Sequence, residues 1–300
     1  MRKPFPARLA LGAAAAALPA VLALVGCRGM GGYPGPSSAP AASPTEAEAY
    51  PPPVDEGDAE PIVEAVPGDL GGRVLVIGTD AQYPPFESVD DAGNVVGFDP
   101  DLMAAICERA HCTATFQSTS WDGIFAALSA GEFDALMSAI TILPEREAES
   151  GGTFTRPYHQ IGQVILRRSD DATPFDQTTA VVGVQTGTTG DTSATAILQV
   201  PEENMRRFES NALAVEALLA GDVDAVVCDD PTAANYVGAN PGELVLDGEP
   251  FTFEEYGILV PNTAPDVLEA FDLALEALEA DGTLDALKAT WLEAEAETAP

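Results

Sequence analysis

Residues 74–80, Val74-Leu75-Val76-Ile77-Gly78-Thr79-Asp80, decide the fold: four apolar, mostly β-branched side chains end on a glycine and two polar residues. A short run of this kind is read as a β-strand. Working outward, Asp99 is placed to cap a helix from Pro100 to about Ala110, with proline at the first helical position, where its missing N–H costs nothing. Thr113 to Phe116 suits a strand. Ser120 is placed to cap a helix from Trp121 to Ala130, stopped by Gly131, and Phe133 to Ile140 is a further apolar run. The order βαβαβ predicts a parallel sheet with helices on its faces.

After Gln163 the pattern restarts. Val181 to Val184 reads as a strand, Gly187 to Gly190 as a turn into a helix, and Ala212 to Leu219 as a helix ended by Gly221. Val223 to Val227 and Tyr256 to Val260 read as strands, Pro265 to Leu278 and Thr283 to Leu292 as amphipathic helices. Two similar α/β units fit a chain of 300 residues. Ligands of such open sheets sit beyond the carboxyl ends of the strands.

The composition, 46% hydrophobic, is enough to build a core, but 13 Lys and Arg against 48 Asp and Glu leave a net charge of −35. Such a polyanion excludes nucleic acid as a partner, because phosphate contacts need clustered Arg and Lys. Two histidines and no Cys/His cluster predict no metal site, and no cofactor is expected. The acidity fits either a saline habitat or a GC-rich genome.

Arg2, Lys3 and Arg8 precede an apolar stretch, Leu9 to Gly26, which reads as an export signal over residues 1–27. It ends Leu24-Val25-Gly26-Cys27, similar to the bacterial lipobox, so Cys27 is expected to become the lipidated N-terminus; an uncleaved signal anchor is the alternative. Residues 28–71, rich in Pro and Gly and then acidic, read as a disordered tether with a reach of at least ~35 Å. The expected location is extracytoplasmic, anchored by lipid to the outer face of the cytoplasmic membrane.

Polar residues gather at the predicted strand ends. Arg146 carries a planar fork that matches a carboxylate in two-point contact, or an internal salt bridge with one of many acidic residues. Gly187 to Gly190 offers free N–H groups to an anion. Asp229 is an ammonium acceptor or a helix cap before Pro231, and Tyr83 and Trp121 are ligand walls or core residues. Together they complement the zwitterionic head of a free amino acid.

These segments carry a family likeness. Gly97-Phe98-Asp99-Pro100-Asp101-Leu102, the residues from Gly78 to Glu87, Trp121-Asp122-Gly123, Gly183 to Gly190 and Val223 to Asp229 stand in family order. From Arg73 onward the chain resembles the polar amino-acid-binding branch of bacterial extracytoplasmic solute-binding proteins, which serve ATP-driven importers. The resemblance implies an α/β fold of two lobes, joined by two hinge strands, with ligand in the interlobe cleft. Residues 72–161 plus 251–300 would form lobe 1, and 162–250 lobe 2. Carried over by position, Arg146 would clamp the α-carboxylate with the Thr141 and Thr189 N–H groups. Asp229, the Thr141 hydroxyl and the Ser138 or Ala139 carbonyl would take the ammonium. Tyr83 and Trp121 would sandwich the side chain, with Asp80 at its far end. The resemblance departs at Leu143, where a second Thr is frequent, at Ala139, where Gly or Ser is usual, and at Ser150-Gly151-Gly152, a small insertion.

The implied function is a monomeric binding protein for a free amino acid, basic or polar, that passes its ligand to an ABC permease and ATPase and performs no catalysis. Asp80, Glu87 and the negative field favour a cationic side chain; Asp80 equally suits a side-chain amide. One rival is a dehydratase on the same scaffold, with Glu87 or Asp80 as general acid; another is a sensor ectodomain. Cys107 and Cys112 are read as a local disulfide or two buried thiols, and Cys228 as a small strand residue.

Overall fold

The computed structural model describes residues 67–293. Cys27, the export signal and nearly all of the tether lie outside the described residues. Among the described residues no helix is long and apolar enough to cross a membrane.

The chain builds two five-stranded sheets, each the floor of one lobe. In the first, Arg73–Thr79 lies parallel between Cys112–Ser118 and Ala135–Leu136, with Arg73 opposite Cys112 and Thr79 opposite Ser118. Leu259–Pro261 and Gly152–Phe154 complete it in antiparallel pairing. In the second, Met205–Phe208, Val182–Gln185 and Ala225–Asp229 run parallel; Gln163–Arg168 is reversed beside them, and Leu244–Leu246 pairs antiparallel with it at the edge. A separate antiparallel pair, His159–Ile161 with Glu254–Tyr256, joins the lobes as the two hinge strands.

The central strands are covered on both faces, which is why they read as apolar runs, whereas the edge strand Cys112–Ser118 alternates half-buried and exposed residues. Successive side chains of one strand enter opposite cores: Val226 packs with Val215 and Leu218, while its neighbour Val227 packs with Val182 and Val184. Likewise, one face of the first sheet buries Leu75 and Ile77 against Phe98, Leu102 and Phe271. The other buries Leu136 and Leu259 against Ile124 and Leu128.

Four local readings are corrected. Asp99 is not a cap: the helix runs Phe98–Ala110 with Gly97 at its N-cap. The Asp99 carboxylate instead accepts from the Ala139 N–H at 2.9 Å and the Tyr158 hydroxyl at 3.2 Å, tying the helix to the strand-end loop. Gly97 is required there, since at φ 143° a Cβ would lie 2.2 Å from the Phe86 carbonyl oxygen. The helix expected from Trp121 begins only at Ile124, which leaves Trp121 in a turn facing the cleft. Tyr256 to Val260 is not one strand: Gly257, pressed against Ile142 and Phe154, separates the hinge strand from the sheet strand. Leu70, read as tether, is buried on the first lobe, and its N–H donates to the Ala110 carbonyl at 2.8 Å. Cys107 and Cys112 form a disulfide, and Cys228 is a buried free thiol on its strand.

Candidate functional site

A cavity lies between the lobes, and all nine residues predicted for ligand binding line it. Asp80, Tyr83, Trp121, Ser138, Ala139, Thr141 and Arg146 come from the first lobe, and Thr189 and Asp229 from the second. Among the described residues no cluster of His, Cys, Asp and Glu is arranged to hold a metal ion.

Arg146 sits in the helix Pro144–Ser150 and is 6% exposed. Its Nη1 donates to the Thr141 carbonyl at 2.8 Å, and its guanidinium carbon lies 5.1 Å from the centre of the Trp121 ring and 5.5 Å from that of Phe125. The internal salt bridge weighed above is absent: among the described residues Arg146 makes no ion pair. Burial lowers its pKa to about 10, against the pull of Asp229 and Glu254, so it stays a cation at neutral pH. A buried cation with most of its donor fork unspent is expensive unless an anion joins it.

Across the cavity, Asp229 ends the strand Ala225–Asp229 and is 7% exposed. It occupies the N-cap of the helix Asp230–Ala239 without making a side-chain cap bond, so capping does not explain it. Its Oδ2 accepts from the Tyr83 hydroxyl at 2.5 Å and from the Tyr256 hydroxyl, and its Oδ1 accepts from Gln163 Nε2. Burial outweighs these bonds and raises its pKa to about 6. Tyr83, predicted as a ligand wall, therefore also spans the cleft as a donor to Asp229.

Other contacts cross the same gap. The Trp121 indole donates to the Gly187 carbonyl at 3.3 Å, and the Thr141 and Thr189 hydroxyls stand 3.4 Å apart. Thr141 Oγ1 donates to Glu254 Oε2 at 3.0 Å, which leaves its lone pairs for a ligand donor. Thr188, Thr189 and Gly190 place the first turn of the helix Thr189–Ala196 against the cavity, a favourable setting for an anionic group.

Beyond the strand Arg73–Thr79, Asp80 is 4% exposed, and burial raises its pKa. Its carboxylate accepts from Gln82 Nε2 at 3.3 Å and from Gln185 Nε2 of the other lobe at 3.2 Å. Ser138 Oγ accepts from the Asp80 N–H at 2.9 Å and donates to Glu87 Oε1 at 2.7 Å. Glu87, fully buried against Asp99, is pushed well above the usual carboxylate range by burial. Ala139 adopts φ 46°, a left-handed conformation that explains why glycine suits this position.

Sequence reasoning missed Gln163, Gln185, Asn211, Glu254 and Tyr256. Gln185 ends the strand Val182–Gln185 inside a recognised motif, so its position was a usable signal. The others sit at ordinary helix, hinge and strand positions.

A model of the bacterial extracellular solute-binding proteins, family 3, matches residues 75–294. A protein of Neisseria gonorrhoeae named "Probable histidine-binding protein" is 35% identical over 240 residues, covering 77% of this chain and 87% of that protein. The ABC transporter arginine-binding protein 1 of Escherichia coli K12 is 31% identical over 75% of this chain and 93% of its own. Among solved structures, an ancestral amino-acid-binding protein described as a precursor of cyclohexadienyl dehydratase superposes with a TM-score of 0.67. It is 36% identical and covers 73% of this chain and 95% of that one. These named relatives are binding proteins, not enzymes.

An Arg146→Met variant separates a structural cation from one reserved for a ligand. Methionine keeps the apolar stem and removes a buried, unpaired charge, so unfolding free energy in urea should stay within about 1 kcal/mol of the parent. A loss of about 3 kcal/mol or more would mark Arg146 as a partner in an internal ion pair.

Proposed function

The chain belongs to the bacterial extracellular solute-binding proteins of family 3, and on that premise we propose that it binds a free polar or basic L-amino acid by lobe closure and hands it to an ABC-type importer. In this reading residues 72–161 and 251–300 close against 162–250. The observation that carries it is the buried Arg146 guanidinium without a counter-ion, facing a buried carboxylate, Asp229, from the opposite lobe.

A zwitterion answers both groups at once. Its carboxylate takes the Arg146 fork and the first turn of the helix Thr189–Ala196; its ammonium takes Asp229 and the Thr141 hydroxyl. Because the receptors belong to different lobes, the ligand gains contacts in the closed state that it lacks in the open one. That difference shifts the population toward closure. The Asp80 carboxylate disfavours an acidic side chain, and the histidine- and arginine-binding names of the relatives support a polar or basic one. We place the protein outside the cytoplasm, as its family implies, held there by a lipid on Cys27 and acting as a monomer.

Calorimetry over a panel of amino acids should find at least one ligand for the parent protein, and Arg146→Met should abolish that binding. Retained affinity in the variant means the carboxylate clamp lies elsewhere.

Affinity should also fall as pH drops from about 7 to 5. An ammonium pairs with Asp229 only when the carboxylate is charged; its pKa is raised to about 6, so below that value binding must first expel a proton. Asp229→Asn should bind more weakly and flatten this pH dependence; an unchanged profile would assign the titration to another group.

For the anchor, Cys27→Ser should release the protein from the membrane fraction of its host. Membrane retention equal to the parent's would indicate an uncleaved signal anchor.

A further inference from the structure

Asn211 opens the helix Asn211–Ala220, but it is not the cap: Ser210 Oγ does that work by accepting from the Leu213 N–H at 3.3 Å. Its side chain is free for another purpose. Asn211 is 2% exposed and lines the interlobe cavity with Asp80 and Gln185.

A relay of hydrogen bonds fixes which way its amide points. Gln185 Nε2 donates to Asp80 Oδ2 at 3.2 Å and to the Glu209 carbonyl at 3.2 Å. Both are acceptors only, so the Gln185 amino group must face them, and its Oε1 must turn the other way. Asn211 Nδ2 donates to that oxygen at 3.3 Å. By elimination the outer atom of Asn211 is its oxygen, and Asn211 Oδ1 is buried without a hydrogen-bond partner. Folded proteins rarely leave such an acceptor unpaired, and the cost of doing so is recovered when a ligand donates to it.

We propose that Asn211 is a specificity-determining residue. With the Asp80 carboxylate it forms a two-point acceptor for a ligand side chain ending in a planar group with several N–H donors, the guanidino class. The inference rests on the amino-acid-binding reading and refines it at the side-chain subsite. Asp80 belongs to the first lobe and Asn211 to the second. A side chain that donates to both therefore adds a second bridge across the cleft, and its length becomes part of the closure signal. A side chain ending in carboxylate meets only acceptors there, and an aliphatic one leaves the Asn211 oxygen unpaired.

Calorimetry with L-arginine and L-norleucine, a side chain without distal donors, tests this on the parent, Asn211→Ala and the near-isosteric Asn211→Leu. The parent should prefer arginine. Both variants should lose about tenfold to a hundredfold in arginine affinity, the range for a hydrogen bond to a charged group, while norleucine affinity moves less than about threefold. Arginine binding at parental strength in the variants overturns the proposal, as does an equal loss for both ligands, the pattern of a damaged lobe. A parent that prefers norleucine or glutamate to arginine overturns it while sparing the amino-acid reading. A parent that binds no amino acid removes both.

Discussion

The attraction between a guanidinium and a carboxylate that do not touch organises this molecule. Arg146 and Asp229 are both buried, belong to different lobes and line the same cavity. Asp229 holds the Arg146 pKa up against burial. Neither charge is neutralised by the other in a salt bridge, which is the feature the proposed zwitterion would exploit. Their partners are chosen to hold this arrangement. Tyr83, Tyr256 and Gln163 give Asp229 donors without charge, and Trp121 and Phe125 give Arg146 aromatic faces without an anion.

The two sheets explain how such a site is assembled from a linear chain. Asp80 and Asp229 each stand at the carboxyl end of a parallel strand, and the turns beyond carry Thr141 and Thr189. The two sheets hold each half of the constellation, and the two hinge strands join the halves. Glu254 lies on one hinge strand and accepts from both Thr141 and Thr252. The hinge is thus wired directly to a residue that lines the cavity.

Much of this was legible in the chain because its signals are local. The apolar run at Val74 to Ile77 is a strand, and Arg146 was conspicuous as a cation in a strongly acidic sequence. What was not legible depends on tertiary partners. Asp99 has every local mark of a cap, yet its carboxylate is spent on Ala139 and Tyr158, residues brought beside it only by folding. Gln163, Gln185 and Asn211 carry no charge and follow no periodicity. Their meaning comes from donor and acceptor directions, which no spacing rule encodes. Tyr256 to Val260 looked continuous because β-propensity does not reveal that Gly257 must slip beneath Ile142.

The bridge between Cys107 and Cys112 has a consequence for pairing along the rim of the first sheet. Cys112 begins the outermost strand and stands opposite Arg73, and Cys112, Ala114 and Phe116 turn toward the core. A one-residue slip would present Thr113, Thr115 and Gln117 to that core instead. The disulfide ties the first rung covalently to the preceding helix and holds Cys112 in this phase, on a strand that pairs on one side only among the described residues.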